Sequence, residues 1–158
     1  GDSNNFRAAI NRNSTLKDTK LERKWAQSGS GKQRVPSFTI DRMLDGLPRE
    51  IEIEGVGPIG SQDRSMGVTP DGQVVVEFWG DPEKLSCASI MVSVLNVSDK
   101  NLFQNSALVI RFVRNAVPKW SRDTMWMVKK LRELASKDTG TGGFSGGGKW
   151  CVLSLLKH

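Results

Sequence analysis

The spacing of apolar residues changes twice along this chain, and the changes divide it into blocks. From Asn4 to about Gln27 the spacing reads as helical. "NNFRAAIN" offers an Asn cap followed by Phe6, Ala9 and Ile10 on one side, and "LERKWAQ" places Leu21 and Trp25 four residues apart among strong helix formers. "SGSGKQ" (28–33) interrupts that pattern as a flexible joint. A short helix from Ile40 to Asp45 follows, capped by Thr39 and stopped by Gly46 and Pro48.

Beyond Pro48 the period falls to two. "REIEIEG" alternates Ile51 and Ile53 with Glu50, Glu52 and Glu54, the pattern of a half-exposed strand. "TPDG" (69–72) is a turn, in which Pro70 presets φ and Gly72 tolerates the left-handed region. "QVVVEFW" (73–79) and "LSCASIMVSVL" (85–95) flank a second reverse turn, "GDPEK", so the block predicts a β-meander.

Helical spacing then returns. Ser98 caps a helix whose stripe is Leu102, Ser106, Ile110, Val113 and Val117, ended by Pro118. Ser121 caps another, with Val128, Leu131 and Ala135 on one face and Gly140 at its end. "GTGGFSGGG" (140–148) reads as a long glycine loop, with Gly140, Gly143, Phe144 and Gly148 in a connection expected to move. "KWCVLSLLK" closes the described pattern as a final buried strand.

Strands cluster and helices cluster. The expected fold class is therefore α+β: an antiparallel meander with two C-terminal amphipathic helices on one face and a final strand. Residues 1–34 form a helical arm and joint in this reading, and residues 35–158 a single domain. The length of 158 residues suits one domain with a real core. No apolar stretch approaches the roughly 18 residues of a membrane-spanning helix.

Charge adds one possibility to this picture. The net charge of +6 is distributed basic, acidic, basic: nine Lys/Arg against five acids in residues 1–48, four against nine in 49–107, and ten against three in 108–158. Between Arg111 and Lys137 there are eight Lys/Arg and two acids, enough to hold phosphates. Arg111, Arg114, Lys119, Arg122, Lys129 and Lys130 are the candidate polyanion-binding residues. Against that use, Phe112 and Trp126 lie on turns rich in Val, Ile and Met, where a helix needs core residues rather than a stacking platform. The stretch reads first as two amphipathic helices covering the sheet.

Other chemistry is sparse. The single His is His158, at the end of the chain, a poor place for a triad. There is no HExxH, paired CxxC or EF-hand loop, so neither a metal nor a cofactor is expected. Glu50, Glu52 and Glu54 read as a solvated strand face. "GFSGGGKW" has the G-x-x-x-x-G-K spacing of a phosphate loop at Gly143, Gly148 and Lys149. Trp150 stands where Ser or Thr is needed, however, and a strand follows where a helix belongs. Asn13-Ser14-Thr15 and Asn96-Val97-Ser98 are glycosylation-type triplets, meaningful only in a eukaryotic secreted chain. Cys87 and Cys151 allow either one disulfide or two reduced core thiols. A bridge would close a loop of about 64 residues, worth roughly 4 kcal/mol in an oxidising compartment.

Two segments bring in a family. "GDSNNFRAAIN" resembles the start of small mature bacterial lipoproteins, in which a short polar stretch after the lipidated Cys leads into an "NF-x-x-A-I" helix. "NSALVIRFVRNAVPKW", with the Trp-bearing helix and glycine-rich return after it, resembles the C-terminal part of bacterial envelope domains of unassigned activity. Together these segments cover under half the chain, and residue 1 is Gly where such lipoproteins carry the lipidated Cys. The resemblance implies a periplasmic or membrane-anchored protein and carries over no functional residues. The expected function is a non-enzymatic envelope or secreted domain that binds a protein, peptide or envelope polymer. The alternative is an intracellular nucleic-acid-binding protein using the basic helices at 108–137, and a carboxylate-based hydrolase or transferase ranks last.

Overall fold

The computed structural model describes residues 4–12, 37–47, 50–55, 63–94, 97–135, 141–146 and 148–157. Its elements in chain order are β1 (Asn4–Arg12), α1 (Ile40–Leu44), β2 (Ile53–Gly55), β3 (Arg64–Val68), β4 (Val74–Asp81) and β5 (Lys84–Ser93). After them come α2 (Asp99–Ala116), α3 (Thr124–Ala135), β6 (Thr141–Gly146) and β7 (Lys149–Lys157). The seven strands form one sheet in the order β2-β3-β4-β5-β1-β7-β6, and every neighbouring pair is antiparallel. The fold class is α+β, as the blocks of periodicity imply.

Alternation explains the sheet. In β4, Val74, Val76 and Phe78 are buried, and in β5 Ala88, Ile90 and Val92 are their cross-strand partners. Phe6, Ala8 and Ile10 of β1 continue the same face, facing Val92, Ile90 and Ala88 on one side and Leu155, Leu153 and Cys151 on the other. This face carries the core, and α2 and α3 lie on it. α2 buries Leu102, Ser106, Leu108, Val109, Phe112, Val113 and Ala116, and the Phe112 and Phe78 rings meet at a centroid distance of 6.3 Å. Met127, Val128, Leu131 and Leu134 of α3 complete the same core.

Local chemistry sets the helix ends. The hydroxyl of Thr39 accepts from the Arg42 amide to start α1, and that of Ser98 accepts from the Asn101 amide to start α2. α3 differs from the expected start at Ser121. The Asp123 carboxylate accepts from the Trp126 amide at 2.8 Å, because an acidic cap complements both the free N–H groups and the helix dipole. α1 is tied to the end of α2 by the buried Asn115, whose amide donates to the carbonyls of Met43 (3.0 Å) and Asp45 (2.9 Å). Gly46, at φ +68°, lets the chain turn beneath the guanidinium of Arg111, where a Cβ would collide.

Two expectations are corrected here. Asn4–Arg12 is a strand, not part of a helical arm, and it sits inside the sheet between β5 and β7. The residues with no exposure are Phe6, Ala8 and Ile10, a period of two, rather than the helical set Phe6, Ala9 and Ile10. The remainder of the expected arm, with Leu21, Trp25 and the joint at 28–33, lies outside the described residues. The glycine-rich segment is likewise not a loop, since Thr141–Gly146 pairs with β7 from Thr141↔Ser154 to Gly146↔Lys149. Gly143 and Phe144 belong to that edge strand, Gly148 takes φ +71° in the turn to β7, and Gly140 lies outside the described residues.

Replacing Asn115 with Ala takes the side-chain donor from the buried Met43 carbonyl, leaves the Asp45 carbonyl to Arg111, and loosens α1. Urea denaturation is expected to show a loss of about 1–3 kcal/mol. A loss below about 0.5 kcal/mol would mean that Asn115 does not tie these elements together.

Candidate functional site

The sheet has a second face, opposite the helices, made by the alternate residues. There β1 presents Arg7, Ala9 and Asn11, β5 presents Cys87, Ser89 and Met91, and β4 presents Val75, Glu77 and Trp79. Strand register brings these together: Asn11 lies opposite Cys87, which lies opposite Trp79, which lies opposite Arg64 of β3.

At the end of this face near the β4–β5 turn is a cavity of about 660 Å³. Arg7, Arg12 and Lys84 supply its charge, and Asn11, Trp79, Ser86 and Cys87 complete the described lining. None of these lining residues is acidic. Beside the lining residue Trp79 the β4–β5 register shifts, between Trp79 and Gly80, and Gly80 takes φ +100°. A Cβ there would lie 2.9 Å from the Ser86 amide nitrogen, so the bulge requires glycine. The Ser86 hydroxyl donates to the Trp79 carbonyl at 3.0 Å, which pins the two strands at the bulge.

Two guanidinium groups stand over the Trp79 ring, those of Arg7 and Arg64, each with its central carbon 5.9 Å from the ring centroid. They differ in what else they touch. Arg64 is held by Glu77, donating to one carboxylate oxygen from Nη2 at 2.8 Å and from Nε at 3.2 Å. Arg7 faces the cavity.

The thiols are poor nucleophiles at neutral pH. Burial pushes Cys87 up to about 11, with Arg7 pulling it down and Glu77 adding to the rise. Burial alone pushes Cys151 up to about 12. The disulfide alternative is overturned, since both cysteines are free. Cys87 is on the open face of β5 and Cys151 on the helix face of β7, with β1 between them. Two strand spacings are about 9.6 Å, beyond the reach of a bridge, and the side chains point to opposite sides.

The basic helix residues are differently employed. Arg111 donates from Nε to the Asp45 carbonyl at 3.1 Å and pairs with the Asp45 carboxylate at 3.7 Å. Arg114 donates to the carbonyls of Trp120 and Arg122, holding the α2–α3 connection. Arg122 stands over the Trp126 ring at 5.2 Å, and Trp126 meets Trp120 edge-on. Lys130 pairs with Glu133 within α3, while Lys119 and Lys129 are exposed. Phe112 is core, as expected. Lys149, of the phosphate-loop spacing, is 3% exposed and donates from Nζ to the Ala116 carbonyl at the end of α2. Its ammonium is therefore directed at a helix terminus.

The sequence reading did not single out Arg7, Arg12, Trp79 or Lys84. The signal was present in "VVVEFWG", where alternation puts Trp79 beside Glu77 and away from Val76 and Phe78. No protein-family model matches the chain, and no curated protein matches it either.

The thiols make a pH prediction. For both, the folded-state value lies above the ordinary 9.0, so their contribution to stability is complete below pH 9 and lost as pH rises towards 11–12. Thermal melts from pH 8 to 11.5 should show Cys151→Ala losing less stability than the unsubstituted protein above pH 9. At pH 7.5, Cys87 should alkylate roughly a hundredfold or more slowly than a free thiol. Alkylation at the rate of a free thiol contradicts the burial described here.

Proposed function

We propose that the protein is a non-enzymatic binding domain of the bacterial cell envelope, periplasmic or membrane-anchored, which takes its partner on the open face of the sheet. The observation that carries this reading is the cationic cavity lined by Arg7, Arg12 and Lys84, with no acid among its described lining residues. Positive charge gathered in a concavity favours an anionic partner and raises its local concentration. The open face is a preformed surface, built on strands that are paired on both sides, so little ordering cost falls on binding. Both thiols being held protonated argues against a cysteine nucleophile. Of the expected classes of partner, an envelope polymer fits this surface best, because it presents repeated charge to an open cavity. The envelope assignment rests on the resemblance of "NSALVIRFVRNAVPKW" to bacterial envelope domains; "GDSNNFRAAIN" no longer adds to it, because the lipoprotein start it resembles leads into a helix and Asn4–Arg12 is a strand.

The alternative, nucleic-acid binding through the helices, is less well supported by the geometry. Arg111 and Arg114 spend their donors on backbone carbonyls, which removes two of its six cations from a phosphate-facing surface.

A photo-cross-linking amino acid placed at Ser86 and, separately, at Lys129 tests the two readings in cells. Ser86 should give adducts in the envelope fraction and Lys129 none. Nucleic-acid adducts from Lys129, or a protein confined to the cytosol, would overturn the proposal.

A further inference from the structure

We infer that the open-face cavity is a site for phosphate groups carried on an envelope polymer, and that Arg7, Arg12 and Lys84 hold them. The inference rests on the binding-domain reading above and adds the ligand chemistry to it.

Charge count is the first argument. Three cations line a cavity whose other described residues are neutral, and the nearest basic neighbour over the same ring, Arg64, is already matched by Glu77. A single carboxylate neutralises one of those three charges. A phosphate monoester brings about 1.5–2 negative charges with three acceptor oxygens, which three separate donors can reach together.

Donor geometry is the second. Arg7 and Arg12 belong to β1 and Lys84 is the first residue of β5, so two separate strands bring the three cations to one cavity, where an anion with several acceptor oxygens can meet more than one of them. The Asn11 amide adds a neutral donor in the same lining. The Ser86 hydroxyl, by contrast, already gives its hydrogen to the Trp79 carbonyl.

Trp79 decides against a nucleic acid as the source of the phosphates. A single-strand binder needs an aromatic face free for a base to stack on. Here two guanidinium carbons stand 5.9 Å from the centre of the Trp79 ring, so the ring supports cations rather than presenting itself to a base. The cavity volume of about 660 Å³ also exceeds what a lone phosphate fills, leaving space for the organic part that bears it.

Titration calorimetry of the full chain at low salt tests the assignment, with inorganic tripolyphosphate as probe. Citrate serves as the carboxylate comparison, and a short oligothymidylate as the nucleic-acid comparison. Tripolyphosphate should bind at least tenfold more tightly than citrate or the oligothymidylate, and its affinity should fall as salt rises. Lys84→Gln, at the exposed first position of β5, should weaken tripolyphosphate at least fivefold. The double variant Arg12→Gln with Lys84→Gln should weaken it at least thirtyfold, while Lys129→Gln leaves it unchanged.

Equal affinity for citrate, undiminished binding by the Lys84→Gln protein, or no binding of tripolyphosphate overturns the inference. Tighter binding of the oligothymidylate overturns it in favour of nucleic acid. The two proposals fail separately. Envelope adducts from Ser86 without tripolyphosphate binding remove only the phosphate assignment, whereas tripolyphosphate binding without such adducts removes only the envelope reading.

Discussion

A strand hydrogen-bonded along both edges has no freedom to slip, and β1, at the join between the β2–β5 strands and the β6–β7 pair, is such a strand. It pairs with β5 from Asn5↔Ser93 to Asn11↔Cys87 and with β7 from Asn4↔Lys157 to Arg12↔Lys149. A slip of one residue would turn Phe6 and Ile10 out of the core and drive Arg7 into it. The double register therefore fixes which face is apolar and which is cationic. The helices rest on the first, and the cavity depends on the second.

The basic character of the chain takes a different form once folded. Several of its cations meet partial negative charge rather than bulk water. Lys149 reaches the Ala116 carbonyl at the end of α2, Arg42 reaches the Asn115 carbonyl one residue earlier, and Arg114 reaches the carbonyls of the segment that follows. The end of a helix leaves carbonyls without intrahelical partners, and its dipole favours positive charge there. Lys149 also lies 5.4 Å from the centre of the Phe38 ring, a second attractive contact for a buried ammonium. Net charge at the level of composition thus says little about a binding surface. What matters is which cations remain directed at an open concavity.

How legible this was in the sequence depended on side-chain contrast. The strands with large β-branched and aromatic residues, Val74–Asp81 and Lys84–Ser93, were plain from alternation, and the Thr39 and Ser98 caps marked two helix starts. β1 was obscured because Ala8 and Ala9 are adjacent and identical, so Phe6 and Ile10 could be joined by Ala9 in a helical stripe as readily as by Ala8 in an alternating one. β6 was hidden for a related reason. "TGGFSG" has almost no side chains to alternate, and it is a strand because β7 offers it an edge. The cavity was the least legible feature. Arg7 and Trp79 are far apart along the chain, and only the sheet order, with β5 beside both β1 and β4, makes them neighbours.

The place of β1 also has a consequence for how the chain is made. Its first partner strand, β5, is about 80 residues downstream, and its second, β7, about 140. At ribosomal speeds of roughly 5–20 residues per second, β1 waits on the order of ten seconds for both edges to be covered. During that interval Phe6 and Ile10 lack their native cover, and the backbone of β1 is a template open to pairing with another chain. Loop closure over such separations is slow compared with hairpin formation, so the β4–β5 hairpin can form well before the sheet is whole. In a nascent chain of this topology β1 therefore stays without its second edge until β7 has been made, and the sheet closes only then.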